Sequence, residues 1–474
     1  MVSAELDLLN IERGLVVAPA GCGKTQLIAD ALVRHAEPKP VLILTHTNAG
    51  VVALRSRLDK GGVKASSYRL STIDGWAIRL ITTFPERAAH DPAIVTGPRP
   101  NYPAIRTAAA NLLKNKHVND VIAASYARLL VDEYQDCSIR QHAIIYYAST
   151  ILPVCVMGDD MQAIFGFGDD VLASWNDHVC THFPLAGSLD RPWRWINAGA
   201  EPLGAWLLDA RAKLLARAPI DLRTLPDHVT WVQLDGTTVD HPKLLEACRT
   251  TAPGGIGSVL IIGESTNPGS QRRFASQTPG AVTVEAVDLR DLVNFAAGLD
   301  VNAGDALLKI VSFAEDMMTN VGAADLMRRT GTIMRGTERR AASATEAAAI
   351  AFIGERTHKR VAALLTEINK EPGVRVYRPA VLQACLRALD MCNGPGAKTF
   401  HEAAVHMREQ NRLLGRPLPR RAVGSTLLLK GLEAEVAVIL NGDDLNARNL
   451  YVAMTRGSKR VVVCARSPIL APEL

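Results

Sequence analysis

The sequence predicts an α/β protein of two parallel-sheet domains, each interrupted by a mainly helical insertion. Three observations carry this reading. Short apolar runs alternate with helix-patterned stretches over the first 200 residues, the rhythm of a parallel sheet whose chemistry sits at the carboxyl ends of its strands. The first run, Leu15-Val16-Val17, leads directly into a glycine-containing loop. A second set of strand-like runs is split by about 120 residues of helical periodicity, which implies an insertion into a second sheet domain.

The elements follow in order. Candidate strands at 15–18, 41–45, 129–132 and 154–158 build the first sheet. Residues 18–25 read Ala-Pro-Ala-Gly-Cys-Gly-Lys-Thr, and Leu27, Ile28, Ala31 and Leu32 then recur at helical spacing. A polyphosphate is densely anionic. Small residues let backbone N–H groups curl around it, and the next helix points its positive end at it. Ala20, Gly21, Cys22 and Gly23 form that curl. Lys24 is placed to reach the β- and γ-phosphates, and Thr25 to ligate Mg²⁺. Ala18 stands where the general pattern has glycine.

The run 129–131 ends in Asp132-Glu133-Tyr134-Gln135-Asp136. A carboxylate at that strand end, Asp132, would hold the same metal, and Glu133 would activate the attacking water. Loop and acidic strand end together predict hydrolysis of a nucleoside triphosphate. Residues 76–125 hold a Pro-rich loop (Pro98, Pro100, Pro103) and then a helical pattern, so they read as a small inserted subdomain. The second set of strands is 229–234, 258–262, 436–440 and 460–464. The expected layout is a first domain of 1–75 and 126–190, a second of 191–299 and 421–474, and a helical, basic insertion at 300–420.

Composition narrows the class. At 474 residues one core is not expected. A content of 48% hydrophobic and 21% charged residues is that of an ordinary soluble protein. The eight cysteines show no metal-type spacing, and Cys22 lies inside the phosphate loop, which suits a reducing cytoplasm. Glu5, Asp7 and Glu12 replace the apolar core a signal peptide would need. The longest apolar stretch, 143–157, is broken by Ser149, Thr150 and Pro153 and is too short to span a membrane. Net charge is +5. Residues 300–421 hold 19 Lys+Arg against 13 Asp+Glu, with Arg328, Arg329, Arg335, Arg339 and Arg340 crowded together. A basic segment on a nucleotide hydrolase points to a polyanion partner.

Further motifs add a resemblance that covers most of the chain. Residues 45–49 (Thr-His-Thr-Asn-Ala), 70–76 (Leu-Ser-Thr-Ile-Asp-Gly-Trp), 132–136, and 158–167 (Gly-Asp-Asp-Met-Gln-Ala-Ile-Phe-Gly-Phe) follow the phosphate loop in order. Then come Pro192-Trp193-Arg194-Trp195, Lys430-Gly431-Leu432-Glu433 and Tyr451-Val452-Ala453-Met454-Thr455-Arg456. In this set the chain resembles the superfamily 1 DNA helicases of the UvrD/Rep/PcrA type. The resemblance implies two RecA-like P-loop domains, ATP and Mg²⁺ as cofactors, and 3′ to 5′ movement on single-stranded or tailed duplex DNA. It implies that Gln162 senses the γ-phosphate, that Arg194 and Arg456 supply transition-state charge, and that Glu433 contacts the ribose. It assigns Thr45, Thr47, Asn48, Trp76, Phe165 and Phe167 to the DNA strand.

The chain also departs from that family. No glutamine precedes the loop, the first being Gln26, so the adenine-reading glutamine is missing. Leu427 replaces the histidine expected ahead of Lys430, Asp74 replaces another histidine, and Phe167 replaces a tryptophan. Both insertions are short. These departures keep an alternative open: a DNA-sensing ATPase switch that gates a partner and unwinds little. Compact helicases of this kind occur beside nucleases in bacterial antiphage systems, Gabija among them, and others act in DNA repair. A cytoplasmic protein with a DNA partner and no membrane partner is expected, with a protein partner such as a nuclease under the alternative reading.

Overall fold

A strand covered on both faces needs apolar side chains at every position, and the central strands here have them. The computed structural model describes residues 6–97, 100–166, 170–237, 239–286, 288–394, 396–411 and 419–473. In chain order the strands are β1 (Arg13–Val17), β2 (Val41–Thr45), β3 (Tyr68–Thr72), β4 (Leu129–Val131), β5 (Val154–Gly158), β6 (Leu185–Ser188), β7 (Ile220–Asp221) and β8 (Val229–Gln233). They continue with β9 (Val259–Ile262), β10 (Val282–Thr283), β11 (Met318–Thr319), β12 (Arg375–Val376), β13 (Arg421–Gly424), β14 (Ala434–Ile439), β15 (Gly457–Ala465) and β16 (Ile469–Leu470). Two six-stranded parallel sheets result, ordered β3-β2-β4-β5-β1-β6 and β10-β13-β9-β14-β15-β8. This is the fold class the sequence predicts. Two short antiparallel pairs, β11 with β12 and β7 with β16, complete the strand set.

Several strands escape the sequence reading for one physical reason. β3 and β6 are the two edges of the first sheet. β6 reads Leu-Ala-Gly-Ser and is mostly exposed, so it lacks the apolar run that marks a central strand. β10 has only two residues.

The chain divides into two units, Met1–Leu234 with Lys430–Leu474, and Asp235–Leu429. In the first unit the period-two alternation of strands sorts side chains onto two faces. Leu42, Leu44, Leu129, Val131, Val154 and Val156 join one core, and Val41, Ile43, Leu130, Cys155 and Met157 join the other. The second face is covered by Ile28 and Leu32 from the helix Lys24–Arg34 and by Leu54 and Leu58 from the helix Asn48–Lys60. The first face is covered by helices of the inserted stretch, chiefly Ile73–Thr83 and Tyr102–Lys114, and by Ile139–Ala148. Sandwiching the sheet this way leaves only the strand ends and their loops for chemistry.

The second unit is helical through most of its length. Helices Arg290–Gly298, Ala306–Glu315, Ala323–Met334, Ala344–Gly354, His358–Lys370, Pro379–Asp390 and Phe400–Asn411 contribute to one apolar cluster. Helix Ala344–Gly354 starts with a reciprocal capping box between Ser343 and Glu346. The arginine cluster lies beside it, and its charges are partly spent. Arg329 and Arg340 pair with Glu346, and Arg328 pairs with Asp325. Arg335 and Arg339 remain exposed. Among the described residues no helix is long and apolar enough to cross a membrane.

Candidate nucleotide site

Every site described below lies within the first unit. β1 ends at Val17, and Ala18 donates its N–H to Gly158 O at the end of β5, 2.8 Å away. The loop then turns through Gly21 (φ 72°) and Gly23 (φ 89°). Both are positive-φ positions that favour glycine. A Cβ on Gly21 would also stand 2.6 Å from the Trp195 ring, and one on Gly23 would stand 3.0 Å from Trp193. The helix Lys24–Arg34 begins at Gly23 with no side-chain cap. Its first N–H groups therefore remain available to an anion. Tyr451 accepts the Ala20 N–H at 3.2 Å, and Gly21 O accepts the Arg194 N–H at 3.0 Å. Cys22 is buried.

Lys24 Nζ sits between two carboxylates, 2.9 Å from Asp132 Oδ1 and 2.5 Å from Glu133 Oε1. Burial opposes the lysine charge, but Asp132 and Glu133 hold it above its ordinary range. Burial likewise raises the Asp132 carboxyl against the pull of Lys24. Glu133 is held ionised: burial would raise it, and Lys24 and Lys430 overcome that. Glu133 adopts φ +55°, a left-handed conformation that costs a non-glycine residue about 1–3 kcal/mol. Gln135 fixes it there by donating Nε2 to Glu133 Oε2 at 2.5 Å, while Gln135 Oε1 accepts the Asp159 N–H at 3.2 Å.

The metal assignment fits this donor set. Asp132 Oδ1 is occupied by Lys24 and by the Glu133 N–H. Oδ2 has no protein partner among the described residues. Thr25, the second residue of the helix, is half-buried beside the loop. Among the described residues no group of three or more His, Cys, Asp or Glu side chains is arranged to hold a metal. One carboxylate and one hydroxyl suit a Mg²⁺ that takes its remaining oxygens from phosphate and water.

Gln162 closes the short turn Asp160–Gln162 after β5. Three cations grip this turn. Arg211 binds Asp159, Arg448 binds Asp160, and Lys430 Nζ reaches Gln162 O at 2.5 Å. Lys430 also lies 2.6 Å from both oxygens of Asp136, and 4.8 Å from the centroid of the Phe165 ring. Burial pushes Asp136 up to about 7 and pushes Lys430 down, each against the other's charge.

The two arginines are near each other but engaged. Arg194 Nη1 donates to Thr455 O at 2.7 Å, and Nη2 pairs with Glu433. Arg456 is 4% exposed and donates to Val452 O, Leu432 O and Thr455 Oγ1. Burial, with repulsion from Arg194, pushes it down to about 10. Trp195 is buried, and its Nε1 donates to Gly457 O at 2.9 Å. Trp193 is 40% exposed, with the Arg191 guanidinium 3.8 Å above its ring centroid.

The residues assigned to a DNA strand separate. Thr47 accepts the Gly50 N–H as a helix cap, Asn48 is exposed, and Phe165 is half-buried 5.4 Å from the His46 ring. Trp76 is a correction. It is 2% exposed in the core with Leu80 and Ile105, because its helix turns that face onto the sheet, so the ring cannot stack on a base. The Thr45 side chain is likewise buried at the end of β2. Phe167 lies outside the described residues. The pattern did not single out Gln135, Lys430 or Arg211. The first two stand inside quoted motifs, and Arg211 carries no sequence signal.

A glycine loop on a parallel sheet, with its lysine against an acidic strand end, is a phosphate-binding site of the P-loop kind. Residues 9–97 and 101–171 match the family model of the UvrD/REP helicase N-terminal domain. No curated protein matches the chain. Among solved structures the chain is similar to an arterivirus nonstructural protein 10 (helicase) in complex with DNA. Identity is 10%, coverage is 95% of this chain and 60% of that one, and the TM-score is 0.36. It is also similar to the Pif1 helicase of Candida albicans, at 12% identity, 97% and 93% coverage, and a TM-score of 0.37. The chain thus spans 60% of the length of the arterivirus helicase chain.

Proposed function

We propose that the protein is an ATP-dependent DNA translocase and helicase of 3′ to 5′ polarity, coupling hydrolysis across two RecA-like domains to movement on single-stranded DNA. The observation that carries this reading is Lys24, held between Asp132 and Glu133 beneath a loop whose helix start is uncapped. Incoming phosphates offer Lys24 richer partners than the two carboxylates. Its transfer to them releases Glu133, which then accepts the proton of the attacking water. Gln135 keeps Glu133 in place during the exchange. Thr25 and Asp132 would hold Mg²⁺, which offsets phosphate charge when bound. Gln162 contacts the γ-phosphate. Arg194 and Arg456 supply charge to the transition state once Arg194 leaves Glu433, which turns to the ribose.

Hydrolysis of ATP with and without single-stranded DNA, alongside strand displacement on 3′- and 5′-tailed duplexes, tests the reading. DNA-stimulated turnover and displacement from the 3′ tail support it. Turnover indifferent to DNA at low salt overturns it. The burial of Trp76 and Thr45 favours a second reading, the DNA-sensing switch that gates a protein partner such as a nuclease. Stimulation by DNA without displacement of either duplex selects that one.

A further inference from the structure

Asp159 is fully buried at the end of β5. Its Oδ1 accepts Arg211 Nε at 3.0 Å, Arg211 Nη2 at 2.6 Å and the Met161 N–H at 3.2 Å. Its other oxygen, Oδ2, accepts Gln162 Nε2 at 3.2 Å. Arg211 comes from outside every motif quoted above. It projects from the helix Glu201–Leu215, which is anchored by buried Leu203, Leu207, Ala210 and Leu214.

We propose that Arg211 is a positioning residue for the γ-phosphate end of the site, acting through Asp159 to set the orientation of the Gln162 amide. The proposal rests on the reading of the chain as an ATP hydrolase and extends it to one further residue. Two N–H groups of a planar guanidinium converge on one oxygen, which fixes the position of that oxygen, and with it the side-chain rotation of Asp159, and balances its charge. The second oxygen is then presented to Gln162 in one direction. Asp159 takes one of the two amide hydrogens of Gln162. The other hydrogen is thereby aimed, along with the amide carbonyl. The backbone of the turn does not depend on Arg211, because Arg448 holds Asp160 O at 3.1 Å and Lys430 holds Gln162 O. The Gln162 side chain has only Asp159 among the described residues. A helix that carries no phosphate-binding residue thus controls the amide closest to the reacting end.

A merely structural Arg211 would neutralise a buried acid and do nothing more. Steady-state ATP hydrolysis and thermal melting distinguish the two, using the full chain with Arg211→Met, Arg211→Lys, Gln162→Ala and the Arg211→Met/Gln162→Ala double variant. Rates are expressed per nucleotide-binding site. Arg211→Met is expected to lower kcat about ten- to a hundredfold, as misplacement of a reacting-site group does, with KM for ATP little changed. In the Gln162→Ala background the same change should leave kcat unaltered while still lowering Tm, since both residues act on rate through one amide. Arg211→Lys keeps the charge without the fork, so it should restore Tm but not kcat. Equal kcat losses from Arg211→Met in both backgrounds overturn the proposal, as does wild-type kcat in Arg211→Met. If Arg211→Met does not fold, Arg211→Lys decides: wild-type kcat in that variant overturns the proposal. A wild-type protein that hydrolyses no ATP would sink the hydrolase reading itself, a separate outcome.

Discussion

Replacing Lys430 by methionine removes a buried cation and leaves its anion behind. Lys430 and Asp136 have side chains 9% and 3% exposed, and the ammonium lies 2.6 Å from both carboxylate oxygens. Above pH 7, where Asp136 is ionised, breaking such a pair from one side costs about 3–5 kcal/mol, because the remaining charge is uncompensated. The cost depends on pH through Asp136. Its carboxyl sits at about 7 in the fold, against an ordinary 3.8. Between those values the folded state holds a proton that the unfolded state has lost, so stability falls as pH rises from about 4 to about 7. Removing Lys430 takes away the charge that lowers Asp136, so its folded value climbs further. Below pH 7 the carboxyl is then protonated with or without the lysine, and the loss is roughly constant. Above pH 7 the loss grows by about 1.4 kcal/mol per pH unit. Urea unfolding at pH 6 and pH 8 reads this directly. All six tryptophans (Trp76, Trp175, Trp193, Trp195, Trp206 and Trp231) lie in the first unit, so their fluorescence reports the unit that holds the pair. A loss at pH 8 below about 1 kcal/mol, in the range of exposed pairs, or one equal at both pH values, would refute the argument.

Other outcomes follow from the same geometry. Lys24→Ala and Glu133→Gln should both abolish turnover, but nucleotide titration should show weakened binding only in the first, since the proposed function has Lys24 hold phosphate and Glu133 act on water. His142 is buried, its Nδ1 2.8 Å from the Tyr134 hydroxyl and its Nε2 2.8 Å from His182 Nδ1. Burial, with repulsion from His182 and His178, pushes it down to about 4. The unfolded state therefore protonates first on acidification, and about 3 kcal/mol of stability is lost between pH 6.5 and pH 4. His142→Phe should flatten that acid limb in urea unfolding followed by tryptophan fluorescence. With Arg328, Arg329 and Arg340 engaged in ion pairs, Arg335 and Arg339 are the members of the cluster most available to DNA. Changing both to glutamine should reduce the salt slope of single-strand binding by about 1.4 in log–log units; an unchanged slope would return the cluster to a solvated face.

The amino-acid pattern alone was enough for the sheet class and for the glycine loop between a strand and a helix. That follows from locality. A phosphate cradle is made of consecutive backbone groups, so residues 20–25 announce it in one line. Central parallel strands announce themselves because both faces are buried, as in β2 and β5. Where each polar or aromatic side chain lies, and what it touches, emerged only from the packing of distant elements. Trp76 and Trp193 are the same residue type in quoted motifs, yet one is core and the other is exposed over the phosphate loop. Lys430 meets Asp136 across 294 residues, and Arg211 meets Asp159 across 52. Such pairs leave no periodicity or spacing in the chain, because an ion pair is specified by burial and distance between elements and not by position along them. The left-handed Glu133 is of the same kind: its strain is tolerated only because Gln135 and Lys24 hold the carboxylate from two sides.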